Sequence, residues 1–316
     1  MSELLDAAGA ADRLLAADDI LIICHKNPDG DTLGTAGALQ HGLNALQKRA
    51  SVICSDEIPA RYDYLGLTLF DGSYQPQYVV AVDIAGPQLF GDATYSYASR
   101  CDLCIDHHPS NTAYADALLL DAGAAACCEV MLRVLEEMHV EITPRIADCL
   151  YTGVSTDTGC FKFTNTTPET HRAAARLMEL GANVIWLNQM LFESKSRSRL
   201  EIERLALSTL EYHFEDRCAL IYITREMIET TGADGTDLEG ITSVPRAIEG
   251  VDVGVTMRQQ PGGSYKVSVR TTQGYDASAI CARLGGGGHR QAAGCEIFGE
   301  LGNAKAAVLA EVEKEL

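Results

Sequence analysis

Residues 20–35 read ILIICHKNPDGDTLGT, and this stretch decides the fold. Ile20–Cys24 is a short apolar run, which predicts a strand buried in a sheet. Thr32–Arg49 carries apolar residues at helical spacing, which predicts that a helix follows the strand. A buried strand that leads through a tight turn into a helix is typical of an α/β fold with a parallel sheet.

The first half of the chain continues this alternation. Ser2 is expected to cap a first helix that reaches Ala17. Further strands are predicted at Ser51–Cys54, Tyr78–Asp83 and Asp102–Asp106. Further helices are predicted at Ala124–Met138, Pro144–Thr156, Thr170–Leu180 and Val184–Leu191. Strands interleaved with helices predict a parallel sheet that has flanking helices and is covered on both faces.

The pattern changes near residue 193, which divides the chain into two predicted domains. Residues 1–192 form the parallel-sheet domain, residues 193–215 read as a charged linker helix, and residues 216–316 form a smaller α+β domain. Strands of the second domain are predicted at Ala219–Thr224, Val251–Gln259 and Tyr265–Arg270, and helices at Asp276–Leu284 and Asn303–Leu316. The turn-forming sequence Pro261-Gly262-Gly263 predicts a hairpin between the last two strands.

Charge and composition limit the partners. The chain has 25 basic and 44 acidic residues, a formal net charge of -19, with 47% hydrophobic and 22% charged residues. This composition is typical of a globular protein. The negative charge should repel a long polyphosphate backbone, although metals and a few basic groups can still hold a short nucleotide. No apolar run is long enough to span a membrane and the acidic N-terminus does not resemble a signal peptide, so we expect a cytoplasmic protein.

The 11 cysteines are odd in number and scattered. They are expected to be free, buried thiols in a reducing compartment. Cys101 and Cys104 form a CxxC pair, but they flank a predicted strand and no second pair stands at zinc-site spacing. Ordinary buried thiols are therefore favoured over a zinc site.

Acidic and imidazole side chains follow three of the predicted strands. The first strand runs into His25, Asp29 and Asp31, the second ends on Asp83, and the third on Asp106-His107-His108. A further acid, Asp157, follows a predicted helix. Because the carboxyl ends of parallel strands line one crevice, these groups are expected to meet there. Buried carboxylates need cations, and oxygen with imidazole ligands suits Mn²⁺ or Mg²⁺, the histidines favouring Mn²⁺.

The turn between Asp29 and Asp31 fits a site for two ions. Pro28 and Gly30 predict a tight turn, so the two carboxylates can point to two different ions. Two neighbouring ions can then clamp an in-line phosphoryl displacement. Each piece alone has an ordinary structural explanation as a turn, a helix cap or a solvated histidine pair. Their shared position at strand ends of one sheet is what favours the metal site.

The second domain contains GGGGHR, residues 285–290. Glycines free the backbone N–H groups to bind an anion, and His289 and Arg290 add charge, as does Arg270 on the preceding strand. Glycines alone would equally suit a flexible loop. The neighbouring basic residues favour phosphate recognition.

Four segments of the first domain resemble, in order, the motifs of the DHH phosphoesterase superfamily: HKNPDGDTLGT, VAVDIA, IDHHPSN and STDTGCFKFTNTTPET. The segment KVSVRTTQGYDASAICARLGGGGHRQAAG resembles the family's DHHA1 nucleotide-binding domain. The resemblance covers the whole chain and is strongest to the compact bacterial NrnA-type group of oligoribonucleases and pAp phosphatases. Departures are small: Thr35 stands where serine is commoner, and Arg290 where lysine is frequent.

The resemblance implies a role for each matched residue. One metal would be held by His25, Asp29 and Asp83, and the other by Asp31, Asp83, His107 and Asp157, so that Asp83 is shared. Asp106 would orient a histidine and His108 would contact the scissile phosphate. The substrate would be gripped by Arg270, Gly286, Gly287, Gly288, His289 and Arg290, with the active site in a cleft between the domains.

The resemblance also narrows the substrate. RecJ-type exonucleases carry additional domains for long strands, and family II pyrophosphatases lack the GGGGH segment. Short oligoribonucleotides (nanoRNA) and 3′-phosphoadenosine 5′-phosphate (pAp) remain, with hydrolysis by a hydroxide activated between two metals. A cyclic-di-AMP or pApA phosphodiesterase and, more distantly, a non-catalytic nucleotide-binding regulator are the alternatives. A homodimer is possible, and the polarity of attack stays open.

Overall fold

The computed structural model describes residues 2–235, 237–238 and 240–316. The chain folds into two compact units, Met1–Ser194 and Lys195–Leu316. Each unit has its own sheet and its own hydrophobic core.

The first unit contains a six-stranded sheet in which every pairing is parallel, in the order β1-β6-β5-β4-β2-β3. Its strands are β1 Glu3–Leu4, β2 Ile20–Ile23, β3 Ala50–Ile53, β4 Tyr78–Val82, β5 Leu103–Asp106 and β6 Ala117–Leu120. The parallel α/β fold predicted from the sequence is confirmed. Strands β1 and β6 were not predicted, and they extend the sheet beyond β5.

Both faces of this sheet are covered, one by loops and short 3₁₀ turns and the other by helices. The helices are α1 Ala7–Ala16, α2 Gly30–Ala45, α3 Cys127–Glu137, α4 Pro144–Asp157, α5 Pro168–Glu179 and α6 Val184–Asn188, which runs on into a π-helical turn, Gln189–Glu193. Alternate residues of β2 enter different cores: Ile20 and Ile22 join one cluster and Leu21 and Ile23 the other. Burial of both faces explains why the strands read as continuous apolar runs.

The expected cap at Ser2 is wrong. Helix α1 begins after Asp6, whose carboxylate accepts a hydrogen bond from Gly9 N at 2.8 Å. Ser2 instead donates its hydroxyl to the backbone carbonyl of Ala113, at 2.8 Å, and precedes strand β1. Residues 3 and 4 form hydrogen bonds with strand β6, more than 100 residues away, and so are extended where a helix was expected. The residues around Ser2 alone do not reveal this pairing.

The second unit is built on a mixed six-stranded sheet in the order β11-β12-β10-β9-β8-β7, with α7 and α8 among the helices around it. Its helices are α7 Arg197–Leu207, α8 Arg225–Thr231, α9 Ala277–Arg283 and α10 Leu301–Glu313. Its strands are β7 Glu211–His213, β8 Cys218–Ile223, β9 Val253–Gln259, β10 Tyr265–Thr271, β11 Gly287–His289 and β12 Ala292–Ile297. The predicted hairpin is present, since β9 and β10 pair antiparallel.

The segment predicted as a linker helix packs within the second unit. Helix α7 occupies only part of residues 193–215, and its buried Ile202 and Ala206 pack with Ile221 and Ile223 of β8. The many charged residues of this helix suggested a linker, whereas the apolar side chains of Ile202 and Ala206 pack it against the sheet. Along the part of the chain that the structure describes, no helix combines the length and apolarity needed to cross a membrane.

Candidate metal centre

Three neighbouring strands carry the ligand residues to one edge of the parallel sheet. In the order β5-β4-β2, strand β5 ends on Asp106, β4 is followed by Asp83, and β2 is followed shortly by His25. Because all three strands run in the same direction, these residues emerge side by side. The crevice expected from the sequence is therefore present in the first unit.

One cluster comprises His25, Asp29 and Asp83. Nε2 of His25 lies 3.5 Å from Oδ1 of Asp29 and 3.5 Å from Oδ2 of Asp83. One ligand atom from each of the three side chains lies within 4.8 Å of the others. Two carboxylates and an imidazole at this spacing are a donor set for a hard or borderline divalent ion.

A second cluster surrounds His107. Its Nε2 lies 3.7 Å from Oδ2 of Asp31, 3.5 Å from Oδ1 of Asp83 and 3.7 Å from Oδ2 of Asp157. The two oxygens of Asp83 therefore face different clusters. All six residues that the sequence singles out as metal ligands are brought together, and the two groups meet at Asp83.

Asp83 shows the clearest sign of an incomplete environment. Its side chain is 3% exposed, yet within the described residues its Oδ1 makes no hydrogen bond. Its backbone is left-handed, with φ of 60°, a conformation that costs most residues energy and that occurs at functional sites. A buried, unsatisfied carboxylate oxygen between imidazoles fits a cation, which would satisfy it.

Asp31 is held by the amino end of another helix. Helix α3 begins after Ala126, which has no capping side chain, and the backbone N–H groups of Cys127 and Cys128 donate to the Asp31 carboxylate at 2.6 and 2.9 Å. Asp31 therefore caps α3 from a distance and is fixed in orientation by it. Helices α2 and α3 thus share one carboxylate at the site.

Glycines allow helix α4 to approach closely enough to deliver Asp157. A Cβ at Gly30 would lie 2.4 Å from Thr156 Oγ1, and one at Gly153 would lie 2.5 Å from Asp31 Oδ1. Neither contact is possible for a real side chain. The second glycine was not anticipated from the sequence, because its importance follows from the packing of α4 against α2.

A hydrogen-bonded chain orients His108. Its Nδ1 lies 2.8 Å from Oδ1 of Asp106, and this buried carboxylate also accepts from the backbone N–H groups of His107 and His108. The other oxygen of Asp106 accepts from Nδ2 of Asn111 at 2.6 Å. The hydrogen bond to the carboxylate of Asp106 raises the pKa of His108. Asn111 was missed as a functional candidate, although it stands within the IDHHPSN segment.

The carboxylates also change the protonation of the histidines. Burial alone would lower the pKa of His25, but interaction of its ring with the carboxylates of Asp29 and Asp83 outweighs burial and raises the pKa to about 11. For His107 burial is likewise outweighed, by Asp83 and Asp31, and its pKa rises to about 10. Burial raises the pKa of Asp157 to about 6. Without a metal, both imidazoles are therefore protonated at neutral pH.

We expect metal binding to release protons. A ligating imidazole must be neutral, so at pH 7 the protein should lose on the order of two protons, from His25 and His107, when it is loaded. Because both pKa values lie above 9, apparent affinity should rise as the pH increases from 6 to 8. Calorimetric titration with Mn²⁺ in buffers of different ionisation enthalpy measures this release. A binding enthalpy independent of the buffer would contradict it.

In the second unit, strand register places Arg270 and His289 on one face of the sheet. Arg270 pairs with Ala292, and Ala292 pairs with His289 on the edge strand β11. Their Cα atoms are thus two strand spacings, about 10 Å, apart. A phosphate or sugar could contact both side chains.

The glycine segment forms an edge strand where a loop was expected. A Cβ at Gly286 would lie 2.5 Å from Cys295 Cβ, and one at Gly288 would lie 2.6 Å from Ala293 Cα, so both must be glycine for β11 to pair with β12. The N–H of Gly286 is already bonded to Cys281 O at 2.8 Å. Gly287 and Arg290, the residue that follows β11, are exposed. The backbone groups open to an anion are therefore fewer than in a free loop.

The cysteines are free, as expected from the sequence, and all but Cys54 and Cys160 are buried. All eleven fall within the described residues, and each is free. Cys101 and Cys104 are buried, and their thiols donate to the carbonyls of Leu103 and Ile84. These two thiols belong to the hydrophobic core on one face of the sheet.

Similarity to known proteins identifies the family. Residues 19–154 match the DHH family, N-terminal domain, and residues 220–316 match the DHHA1 domain. Over 312 residues the chain is 32% identical to a Thermus thermophilus protein named bifunctional oligoribonuclease and PAP phosphatase NrnA, covering 94% of this chain and 90% of that one. This chain belongs to the DHH family.

Other DHH proteins extend the comparison. A Bacillus subtilis protein of the same name is 23% identical over 290 residues, covering 89% of this chain and 90% of that one. A crystal structure of an exopolyphosphatase-related protein from Bacteroides fragilis covers 98% of this chain and 96% of that one, with a TM-score of 0.84 and 23% identity. The latter supports the fold.

Membership settles the class of chemistry. As a DHH enzyme the chain is a metal-dependent hydrolase that acts on phosphoester bonds. Its aspartate and histidine clusters are able to hold the metal.

Proposed function

We propose that this DHH enzyme hydrolyses short oligoribonucleotides to 5′-mononucleotides and converts pAp to AMP. The similarity to NrnA proteins along nearly the whole chain carries this proposal, because it includes both the metal clusters and the glycine segment. The acidic net charge of -19 favours substrates with few phosphates over long polymers.

We further propose two divalent ions, with Mn²⁺ preferred to Mg²⁺. Two clusters that share Asp83 support two ions, one held by His25, Asp29 and Asp83 and the other by Asp31, Asp83, His107 and Asp157. Imidazole ligands in both clusters favour Mn²⁺, since Mg²⁺ prefers oxygen alone. When bound, such ions supply a nucleophilic water at neutral pH and neutralise charge on the phosphate.

The protein's own groups then position and stabilise the substrate. His108 is held through Nδ1 by Asp106, so its Nε2 is the nitrogen left to donate a hydrogen bond to a phosphate oxygen. Its raised pKa keeps it protonated more of the time, which suits stabilisation of developing negative charge. Asp106, fixed by Asn111, is a positioning residue for that imidazole.

We assign the second unit to nucleotide binding. Arg270 and His289 on one sheet face would bind phosphate or ribose, with Gly286, Gly287, Gly288 and Arg290 at the adjoining edge. Arginine offers two parallel donors to a phosphate, whereas histidine offers one. We also propose a cytoplasmic location, in keeping with eleven free thiols in the described chain.

Two alternatives remain as outcomes of the assay. A cyclic-di-AMP or pApA phosphodiesterase would share the metal clusters and differ in the preferred nucleotide. A nucleotide-binding regulator without catalysis would be expected to have lost a ligand, and each residue expected to hold metal stands in one of the clusters. A homodimer is possible with any of these activities.

Substrate length tests the proposal. With Mn²⁺, we expect pAp, pApA and a trinucleotide to be hydrolysed, and kcat/KM to stop rising beyond short oligonucleotides, because added phosphates meet a surface of net charge -19. Purified protein should be assayed on these substrates, on cyclic-di-AMP and on a 24-mer RNA at equal molarity. Faster cleavage of the 24-mer than of the trinucleotide would contradict the proposal. Preference for cyclic-di-AMP would favour the first alternative.

A further inference from the structure

A small cavity adjoins the metal ligands in the first unit. It has a volume of about 220 Å³, and Asp29 and Asp157, one from each metal cluster, form part of its lining. Leu191 and Phe192 form another part, and Arg61 and Tyr62 contribute as well. A ligand group that fills it would therefore lie directly beside the proposed metal centre.

The apolar part of the lining comes from an unusual piece of backbone. Leu191 and Phe192 lie on the π-helical turn, Gln189–Glu193, that extends helix α6. π-helical turns are rare in proteins, and those that do occur often lie at functional sites. The turn is anchored at its start, since Asn188 accepts a hydrogen bond from the hydroxyl of Tyr151 at 3.2 Å. Both apolar side chains are nevertheless only partly buried.

The larger cavity of this unit is a poorer candidate. It has a volume of about 530 Å³ and includes Asp56, Glu57 and Asp63 in its lining, but none of the residues of the metal clusters. Three carboxylates would repel a phosphorylated ligand. The smaller cavity combines metal-site carboxylates with apolar and cationic side chains.

We propose that the smaller cavity is the subsite for the nucleoside attached to the scissile phosphate, with Phe192 contacting the base. This inference rests on the proposed function. A phosphate at the metal centre brings its nucleoside next to Asp29 and Asp157, where the cavity lies. A nucleobase has flat apolar faces, which aromatic and aliphatic side chains pack against whatever the base. The guanidinium of Arg61, 5.0 Å from the Tyr62 ring centre, adds a second planar group.

The lining also limits how well the subsite distinguishes bases. The hydroxyl of Thr156 already donates to the backbone carbonyl of Thr152, at 2.8 Å. The carboxylates of Asp29 and Asp157 belong to the metal clusters. Packing of side chains on the flat faces of a base does not depend on which base it is, so the subsite should accept all four bases with similar kcat/KM.

The test compares two substrates that differ only in the base. They are pAp and its abasic counterpart, 1-deoxyribose 3,5-bisphosphate. Phe192→Leu should reduce kcat/KM for pAp about tenfold, since loss of an aromatic contact to a base has effects of this order. The abasic substrate should be cleaved by variant and wild type alike, and Phe192→Tyr should restore the activity on pAp.

Phe298→Leu is the control. Phe298 is a 77% exposed phenylalanine that lies outside the family motifs and does not line the cavity, so its loss should leave both substrates unaffected. Equal losses for Phe192→Leu on both substrates, or a base-dependent loss for Phe298→Leu, would overturn the assignment. If wild-type protein cleaves no nucleotide at all, the proposed function itself fails.

A binding measurement keeps the inference testable independently of turnover. In Phe192→Trp, addition of AMP to the Mn²⁺-loaded protein should change the tryptophan emission beyond the change seen in wild type, whose sole tryptophan is Trp186. The abasic ribose phosphate should cause no comparable change. An emission unaltered by AMP at saturating concentration would overturn the subsite.

Discussion

Asp83→Asn is expected to abolish tight metal binding and phosphoester hydrolysis together. Each oxygen of Asp83 faces a different histidine, His25 or His107, at 3.5 Å. Removing its charge therefore weakens both clusters, whereas loss of any other ligand weakens one. Asparagine is the better replacement because it tolerates the φ of 60° at this position. Alanine there would add strain of about 1–2 kcal/mol.

Metal content by mass spectrometry and turnover with excess Mn²⁺ would check this result. Asp102→Asn is a suitable control, since Asp102 accepts a hydrogen bond from Val79 N at 2.7 Å near the opposite, amino end of strand β5. The control should keep its metal and its activity. Two tightly held ions and near-native turnover in Asp83→Asn would show that the clusters are not joined through this residue.

The parallel sheet and the ligand cluster could be predicted because they depend on local signals. Strands buried on both faces read as apolar runs, so β2, β4 and β5 were evident, and the ligands follow directly at their ends. Parallel packing then brings the strand ends together without any further information. Strand β6 is also an apolar run, although it is not among the predicted strands.

Features that depend on distant contacts could not be predicted in this way. The glycine segment forms strand β11 although glycine disfavours strands, because only glycine fits against β12. The amino end of α3 is capped by Asp31, 96 positions from Cys127 along the chain. The role of Asn111 depends on the position of Asp106 in the folded sheet. In each case the deciding partner comes from another element.

His108→Ala should lower kcat by about a hundredfold to a thousandfold, which is the usual effect of removing one donor to developing charge. Asp106 already orients the imidazole, since Nδ1 of His108 lies 2.8 Å from its carboxylate. We therefore expect His108 to stabilise the phosphate mainly in the transition state, and less in the bound substrate. The metals should stay bound and KM should change little. The loss should be the same on pAp and on a generic ester such as bis-p-nitrophenyl phosphate.

His289→Ala in the second unit should behave in the opposite way. A single charge-assisted hydrogen bond to phosphate contributes about 1.5–3 kcal/mol, so kcat/KM on pAp should fall by about tenfold to a hundredfold. The generic ester needs no nucleotide contact and should be cleaved at nearly the wild-type rate. Steady-state kinetics of both variants on both substrates separates the two roles. If His289→Ala reduces cleavage of the ester as much as that of pAp, then His289 contributes to the chemical step itself, and its assignment to nucleotide binding alone is wrong.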